Sequence, residues 1–284
     1  MKILLIGSNG QLGQDLKKLL SVKDLIPLTH QDVEISDEKN VREIFEKYKP
    51  KIVINTASYN KVEEAEKNSQ EAFLVNATGV KNLAILCREF DATLVHFSSD
   101  YVFSGEKQTP YREDDKPNPL NIYGISKLAG EYIIKYTLKK FFLVRTSSLF
   151  GISGSRQKGG NFVEIMLRKA KNAEEIKVVD DIFFSPTYTY DLAECISDLI
   201  STDLYGVYHI TNSGSCSWYE FAETIFKLTN IKANLKRISS NELETKVLRP
   251  KYSVLGNYKL ASIGLPPLRH WREALETYLK ERKQ

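Results

Sequence analysis

A chain of 284 residues, 42% hydrophobic and 27% charged, is long enough to bury one large core or two modest ones. Its 40 Lys and Arg stand against 36 Asp and Glu, a formal net charge of +4 with the signs interspersed, so no basic track points to nucleic acid. The strongest apolar run, Ile3 to Ile6, is far too short to span a membrane, and with only Met1 and Lys2 before it there is no signal-peptide layout, so a cytoplasmic protein is expected.

In chain order, Lys2 to Ile6 reads as a buried strand ending at Gly7. Gly7, Gly10 and Gly13 follow at three-residue spacing, and Leu12, Leu16, Leu19 and Leu20 recur at helical period. A turn without side chains lets backbone N–H groups and a helix N-terminus approach a pyrophosphate, although a glycine turn can open any α/β sheet. Asp24 to Leu28 is a weaker second strand. Thr29-His30-Gln31-Asp32 follows it, with Glu34 beyond; this end leaves room for a 2′-phosphate, so NADPH is expected to be tolerated. Val41 to Tyr48 reads as a helix and Lys51 to Thr56 as a third strand, followed by Ala57-Ser58-Tyr59. Val62 to Ala84 carries one or two helices, with first-turn acids Glu63 and Glu64 that suit the helix dipole. Thr93 to Phe97 is a strand, Tyr123 to Tyr136 a helix and Phe141 to Arg145 a strand.

After Arg145 the texture changes. Ser153 to Gly160 is a Gly/Ser-rich basic loop, Asn161 to Lys171 a helix and Glu175 to Val179 a strand. Tyr190 to Leu199 is a helix, Gly206 to Ile210 a strand, and Ser217 a helix start before Trp218 to Leu228. Residues 230 to 258 show little period, and Leu268 to Glu281 is a final amphipathic helix. The expected fold is α/β: a Rossmann-type parallel sheet with helices on both faces and a smaller, mainly C-terminal substrate-binding lobe. The expected division is 1–150 for the dinucleotide domain and 151–284 for a lobe interleaved with returning pieces of the main sheet.

The chemistry concentrates after the strand ends. Tyr123 and Lys127 lie one helical turn apart, and Ser99 follows the Thr93–Phe97 strand. A phenol with a pKa of about 10 needs help as a neutral-pH acid–base group, which a nearby ammonium supplies by favouring the phenolate. Ser99, Tyr123 and Lys127 thus form a candidate proton-delivery set, against the alternative of a surface Tyr–Lys pair with no catalytic purpose. Cys87, Cys195 and Cys216 are far apart, and the four histidines form no HxH or HExxH pair, so no metal site is expected.

Together, Gly7-Ser8-Asn9-Gly10-Gln11-Leu12-Gly13, Asn55-Thr56-Ala57-Ser58-Tyr59, Ser98-Ser99-Asp100-Tyr101-Val102-Phe103, Tyr123-Gly124-Ile125-Ser126-Lys127, Arg145-Thr146-Ser147, Ser185-Pro186-Thr187 and Arg249-Pro250 resemble the extended short-chain dehydrogenase/reductases. More narrowly, the chain resembles the dTDP-4-dehydrorhamnose reductase family over nearly its whole length. The resemblance implies NADPH- or NADH-dependent reduction of the C4 ketone of dTDP-4-dehydro-β-L-rhamnose, with Tyr123 giving the proton, Lys127 tuning it and Ser99 holding the carbonyl. It implies a cofactor site of Gly7, Asn9, Gly10, Gln11, Leu12, Gly13, Glu34, Ile35, Thr56, Ala57, Ser58, Tyr123 and Lys127. It implies a substrate site of Val62, Ser99, Asp100, Tyr101, Asn161 and Arg249, with Asn161 and Arg249 at the nucleotide diphosphate.

Three departures from the family pattern put the sugar nucleotide in question: Ser148 for a common Trp, Ile182 for Gln and Phe184 for Gly. The family also contains regulatory subunits of methionine adenosyltransferase, and the wider superfamily contains epimerases and dehydratases of other nucleotide sugars. Both stand as alternatives. Some members form homodimers with a divalent metal such as Mg²⁺ at the interface; a homodimer is modestly favoured, and no ligand cluster assigns the metal.

Overall fold

The computed structural model describes residues 2–20, 24–154, 159–243, 245 and 247–282. The first half runs β1 (Ile3–Ile6), α1 (Gln11–Leu19), β2 (Leu25–Leu28), α2 (Glu38–Tyr48), β3 (Ile52–Asn55), α3 (Val62–Lys67) and α4 (Ser69–Phe73). A π-helical turn, Leu74–Gly79, then leads to α5 (Val80–Glu89), β4 (Thr93–Ser99), a 3₁₀ turn over Asp100–Val102, α6 (Ile122–Thr137) and β5 (Phe141–Thr146). The second half runs β6 (Leu149–Phe150), α7 (Phe162–Lys171), β7 (Glu175–Val179), β8 (Phe183–Phe184), β9 (Thr187–Tyr188), α8 (Thr189–Leu199) and β10 (Gly206–His209). It ends with β11 (Cys216–Ser217), α9 (Trp218–Thr229), β12 (Asn234–Ile238), α10 (Tyr258–Ser262) and α11 (Trp271–Glu281).

Six strands form one parallel sheet in the order β10-β5-β4-β3-β1-β2. Along β1 the side chains divide strictly: Ile3 and Leu5 join one core with Leu12, Leu16, Leu192 and Ile196, while Leu4 and Ile6 join the other with Val41, Phe45, Leu83 and Ile134. Burial on both faces is why these strands read as continuous apolar runs. The chain leaves β1 for β2 on one side and returns to β3 on the other, so the strand order reverses there. Such a switch point opens a crevice beyond the strands' carboxyl ends, where ligands of open α/β sheets bind. In register, Ile6 faces Asn55 and Ser99 faces Thr146, so Gly7, Thr56, Asp100 and Ser147 all emerge at that rim.

A third core unites Phe150, Met166, Leu167, Ile176, Phe184, Phe221, Trp271 and Tyr278. It is served by two-stranded pairings of β7 with β12 and β8 with β11. From the same half of the chain, β10 completes the main sheet, while Leu192 and Ile196 of α8 pack into the core that holds α1.

Several boundaries differ from the sequence reading, each for a local reason. α2 begins at Glu38 because Asp37 caps it, accepting from the N–H groups of Lys39 and Asn40; the apolar period starts only at Val41. The stretch from Val62 to Glu89 is broken at Asn68, whose φ of −115° and ψ of 48° interrupt the helix, and again by the π turn. β4 extends to Ser99, so both serines belong to the strand. β12 escaped notice because its residues are exposed or half-buried and show no alternation. Of the Gly/Ser-rich loop, residues 155–158 lie outside the described residues.

Candidate active site

The glycine turn is built by close approach. Gly7 has φ +78°, and a Cβ there would lie 2.6 Å from Thr56 Oγ1. A Cβ on Gly13 would lie 2.3 Å from the Gly7 carbonyl, so α1 seats directly on the turn. Thr56 Oγ1 donates to the Ile6 carbonyl at 2.8 Å and locks the end of β3 to β1. α1 starts at Gly10 with no side-chain cap and no acid in its first turn, which leaves its amides and dipole available to an anion. The cradle therefore fits a dinucleotide pyrophosphate.

The other residues expected at the cofactor take varied places. Asn9 and Ala57 are half-buried at the rim, and Leu12 packs into the core. Gln11 reaches across to the second half, donating to the Leu149 carbonyl at 3.1 Å and accepting from Asn161 Nδ2 at 3.2 Å. Glu34 accepts from the Ser36 amide and hydroxyl, and Ile35 packs its side chain against Gly79 in the core. Glu34 and Ile35 thus shape the turn after β2 with side chains already engaged.

Tyr123 and Lys127 are set by the start of α6. Asn121 caps the helix, accepting from the Gly124 amide at 2.8 Å. A Cβ on Gly124 would lie 2.3 Å from the Tyr101 carbonyl, so the first turn of α6 presses on the chain leaving β4. This contact puts the Tyr123 phenol in hydrogen-bond reach of Ser99, with the Tyr101 ring edge-on at 5.7 Å. Lys127 is buried; its Nζ donates to the Phe97 carbonyl at 2.6 Å and to Ser58 Oγ at 3.4 Å. Ser58 in turn donates to Asn76 Oδ1 at 3.1 Å, and Asn76 Nδ2 donates to the Tyr59 carbonyl and to Ser126 Oγ. Sequence reasoning missed Asn76; its only sequence signal was a polar residue inside an otherwise small and apolar helical stretch.

Burial pushes the Tyr123 phenol up to about 12, with the Ser99 hydroxyl opposing and the Asp100 charge adding. Burial pulls the Lys127 ammonium down to about 8, with Glu131 opposing. The sequence-based expectation of a phenol lowered by the lysine is therefore reversed in this structure: Lys127 Nζ is committed to Phe97 and Ser58, and desolvation dominates. The phenol carries its proton at neutral pH, as a proton donor must.

On the substrate side, Asp100 does not face an open cleft; its buried carboxylate accepts from the hydroxyls of Ser99, Ser147 and Ser253. Asn161 caps α7 through the Glu164 amide and donates to Gly151, Gln11 and Tyr278, so its amide is used within the protein. Arg249 pairs with Glu63, while its Nε is buried without a hydrogen-bond partner among the described residues. Val62 opens α3, half-buried. Tyr59 OH, Asn60 Oδ1, Thr146 Oγ1 and Ser185 Oγ are also buried and unpartnered. Orphaned polar atoms cost about 1–3 kcal/mol each, and those of residues 59, 60 and 146 lie where β3 and β5 end, so a polar ligand fits there.

The departures at 182 and 184 turn inward. Ile182 is buried, and Phe184 stacks on Trp218 at 3.9 Å in the third core, while Phe183 is 37% exposed. Ser148 holds φ +45° at the rim.

A glycine cradle at the switch point of a parallel sheet, beside a buried Tyr–Lys pair and a strand-end hydroxyl, defines a short-chain dehydrogenase/reductase fold and site. The family model described as RmlD substrate binding domain matches residues 1–284. The chain belongs to that family, the dTDP-4-dehydrorhamnose reductases. It is 42% identical over 283 residues to the spore coat polysaccharide biosynthesis protein SpsK of Bacillus subtilis strain 168, covering 99% of this chain and 98% of that one. It is 36% identical over 276 residues to the dTDP-4-keto-6-deoxy-D-glucose reductase of Streptomyces niveus, covering 96% and 94%. Its structure resembles the crystal structure of dTDP-4-dehydrorhamnose reductase from Bacillus anthracis str. Ames in complex with NADP, with a TM-score of 0.94, 41% identity and coverage of 99% and 100%. Among the described residues no helix is long and apolar enough to cross a membrane, and no group of three or more His, Cys, Asp or Glu is placed to hold a metal ion.

Proposed function

We propose that this chain uses NADPH or NADH to reduce the C4 ketone of dTDP-4-dehydro-β-L-rhamnose, giving dTDP-β-L-rhamnose. The observation that carries the reading is the protonated Tyr123 phenol, held at Ser99 one turn from buried Lys127 and at the same rim as the Gly7–Gly13 cradle. Gly7, Asn9, Gly10 and Gly13 receive the pyrophosphate, Thr56 to Ser58 line its path, and Lys127 holds the nicotinamide ribose. When bound, the reduced nicotinamide supplies a hydride to the carbonyl carbon. Tyr123 gives its proton to the oxygen as the carbonyl π pair becomes a lone pair, and the Lys127 charge stabilises the phenolate left behind. Val62 and Tyr101 border the sugar, and Arg249 exchanges Glu63 for the diphosphate, whose oxygens suit its planar fork. Asp100 and Asn161 support these walls from behind. Residues 1–150 carry the cofactor and 151–284 the substrate lobe, in a cytoplasmic enzyme whose homodimer needs no interface metal ion.

The test is NADPH and NADH oxidation with dTDP-4-dehydrorhamnose, with the product identified by NMR and Tyr123→Phe as control. Stoichiometric oxidation to dTDP-rhamnose, abolished in the variant, supports the reading. The Streptomyces niveus relative and the exchange at Ser148 favour a second substrate, the 4-keto-6-deoxyglucose nucleotide, which belongs in the same assay. Tight cofactor binding with no oxidation of either sugar, together with co-purification of methionine adenosyltransferase, turns the reading to a regulatory subunit.

A further inference from the structure

Asp100 stands at the end of β4, only 3% exposed, as the centre of a hydroxyl cluster. Ser99 Oγ donates to its Oδ1 at 3.0 Å, and Ser147 and Ser253 donate to its Oδ2 at 2.8 and 2.6 Å. The three serines come from β4, from the turn after β5 and from the segment near residue 253. That last segment is held on two flanks. The Tyr111 amide donates to the Val254 carbonyl on one side, and the Ser253 amide to the Phe183 carbonyl on the other. The Oδ2 donors thus fix the carboxylate, and its Oδ1 is presented to Ser99.

A serine has one hydrogen to give. With that hydrogen on Asp100, the Ser99 oxygen is an acceptor, taking the Tyr101 amide at 3.2 Å and standing within hydrogen-bond reach of the Tyr123 phenol. A Ser99 released from Asp100 could turn its hydrogen toward the phenol or a carbonyl, and the phenol would lose its fixed acceptor. The groups facing the phenol are Ser99 and Asp100 from the β4 end, the Tyr101 ring, and Lys127 one turn along α6.

We propose that Asp100 is a positioning residue for proton transfer: by taking the Ser99 hydrogen it makes the Ser99 oxygen the acceptor that aims the Tyr123 O–H. This rests on the reductase reading and changes the part of Ser99, which orients the donor rather than gripping the ketone. The proton reaching the product oxygen comes from Tyr123 alone, and Ser99 and Asp100 keep their hydrogen bond throughout. A bound ketone then competes with a single acceptor for a proton whose direction is already set.

The experiment measures kcat, both KM values and pH profiles for Asp100→Asn, Ser99→Ala, their double variant and Ser253→Ala. Asp100→Asn is expected to lower kcat about 10- to 100-fold, the scale of a misplaced reacting group, with KM for NADPH unchanged. The double variant should be no slower than Ser99→Ala, because Asp100 acts through Ser99. Removing the Asp100 charge, which opposes the phenolate, should move the alkaline limb of kcat to lower pH. Ser253→Ala should lower the melting temperature and leave that limb in place. Multiplying losses in the double variant, or an unmoved limb in Asp100→Asn, overturns the proposal. Should Asp100→Asn fail to fold, Asp100→Ser supplies a smaller neutral acceptor for the same comparison. Native protein that oxidises no NADPH with either ketosugar defeats the reductase reading instead. The phenolate absorbance of the NADP-bound protein, taken as the difference from Tyr123→Phe, then tests the aim alone: it must rise at lower pH in Asp100→Asn, and an unmoved titration overturns it.

Discussion

Gly13→Ala separates a pyrophosphate cradle from an ordinary helix start. The added Cβ would sit 2.3 Å from the Gly7 carbonyl oxygen and 2.9 Å from the Ser8 Cα, both backbone atoms that cannot rotate away. Alanine improves helix propensity by about 0.8–1 kcal/mol, whereas overpacking of this kind costs about 1–3 kcal/mol or more, so the clash wins by about 1–2 kcal/mol. At about 2–4 °C per kcal/mol for a chain of this size, the melting temperature should fall by about 2–8 °C. Relief moves the turn by about 1 Å, enough to lose a charge-assisted hydrogen bond worth about 1.5–3 kcal/mol, and NADPH affinity should fall about 10- to 100-fold. Gly10→Ala is the graded control, because its Cβ would meet the same carbonyl at 3.2 Å, where a few tenths of an ångström suffice. Fluorescence titration with NADPH and thermal melts of both variants measure the effect. Equal affinities in Gly13→Ala and native protein would refute the placement of the cofactor on this turn.

Three further outcomes follow from the same geometry. Lys127 is pulled down to about 8, so its charge is present below that pH and lost above it; kcat should fall as pH rises through about 8, and Lys127→Met should be slow with that limb absent. Glu131→Gln strands the Arg145 guanidinium, which is buried and gripped by both carboxylate oxygens. Breaking a buried pair from one side costs about 3–5 kcal/mol, so its melting temperature should drop by far more than that of Arg145→Leu/Glu131→Leu, where both charges leave together. Glu63→Gln frees Arg249 from a half-exposed partner; such pairs are worth about 0.2–1 kcal/mol, so KM for the nucleotide sugar should fall by up to about fivefold, with KM for NADPH unchanged. A KM that rises instead assigns Glu63 to the substrate.

What could be read from the sequence was local. The glycine spacing, the Tyr123–Lys127 turn and the strand-end serine need only neighbours a few residues away, and strands buried on both faces announce themselves as apolar runs. What stayed hidden depends on partners far along the chain. Asn76 matters because it meets Ser58 and Ser126, Arg249 because it meets Glu63, and Asp100 because it meets Ser147 and Ser253. No spacing rule encodes such meetings. For the same reason Phe184, which on sequence grounds threatens the cleft, is harmless there: Trp218 receives its ring in the core, and Phe184→Gly should unfold the lobe rather than widen the site. Substrate choice must then rest on residues that remain at the rim. Ser148 is the clearest of these, a non-glycine residue held at φ +45°, in a conformation that costs about 1–2 kcal/mol and positions a small hydroxyl side chain where the family commonly carries an indole.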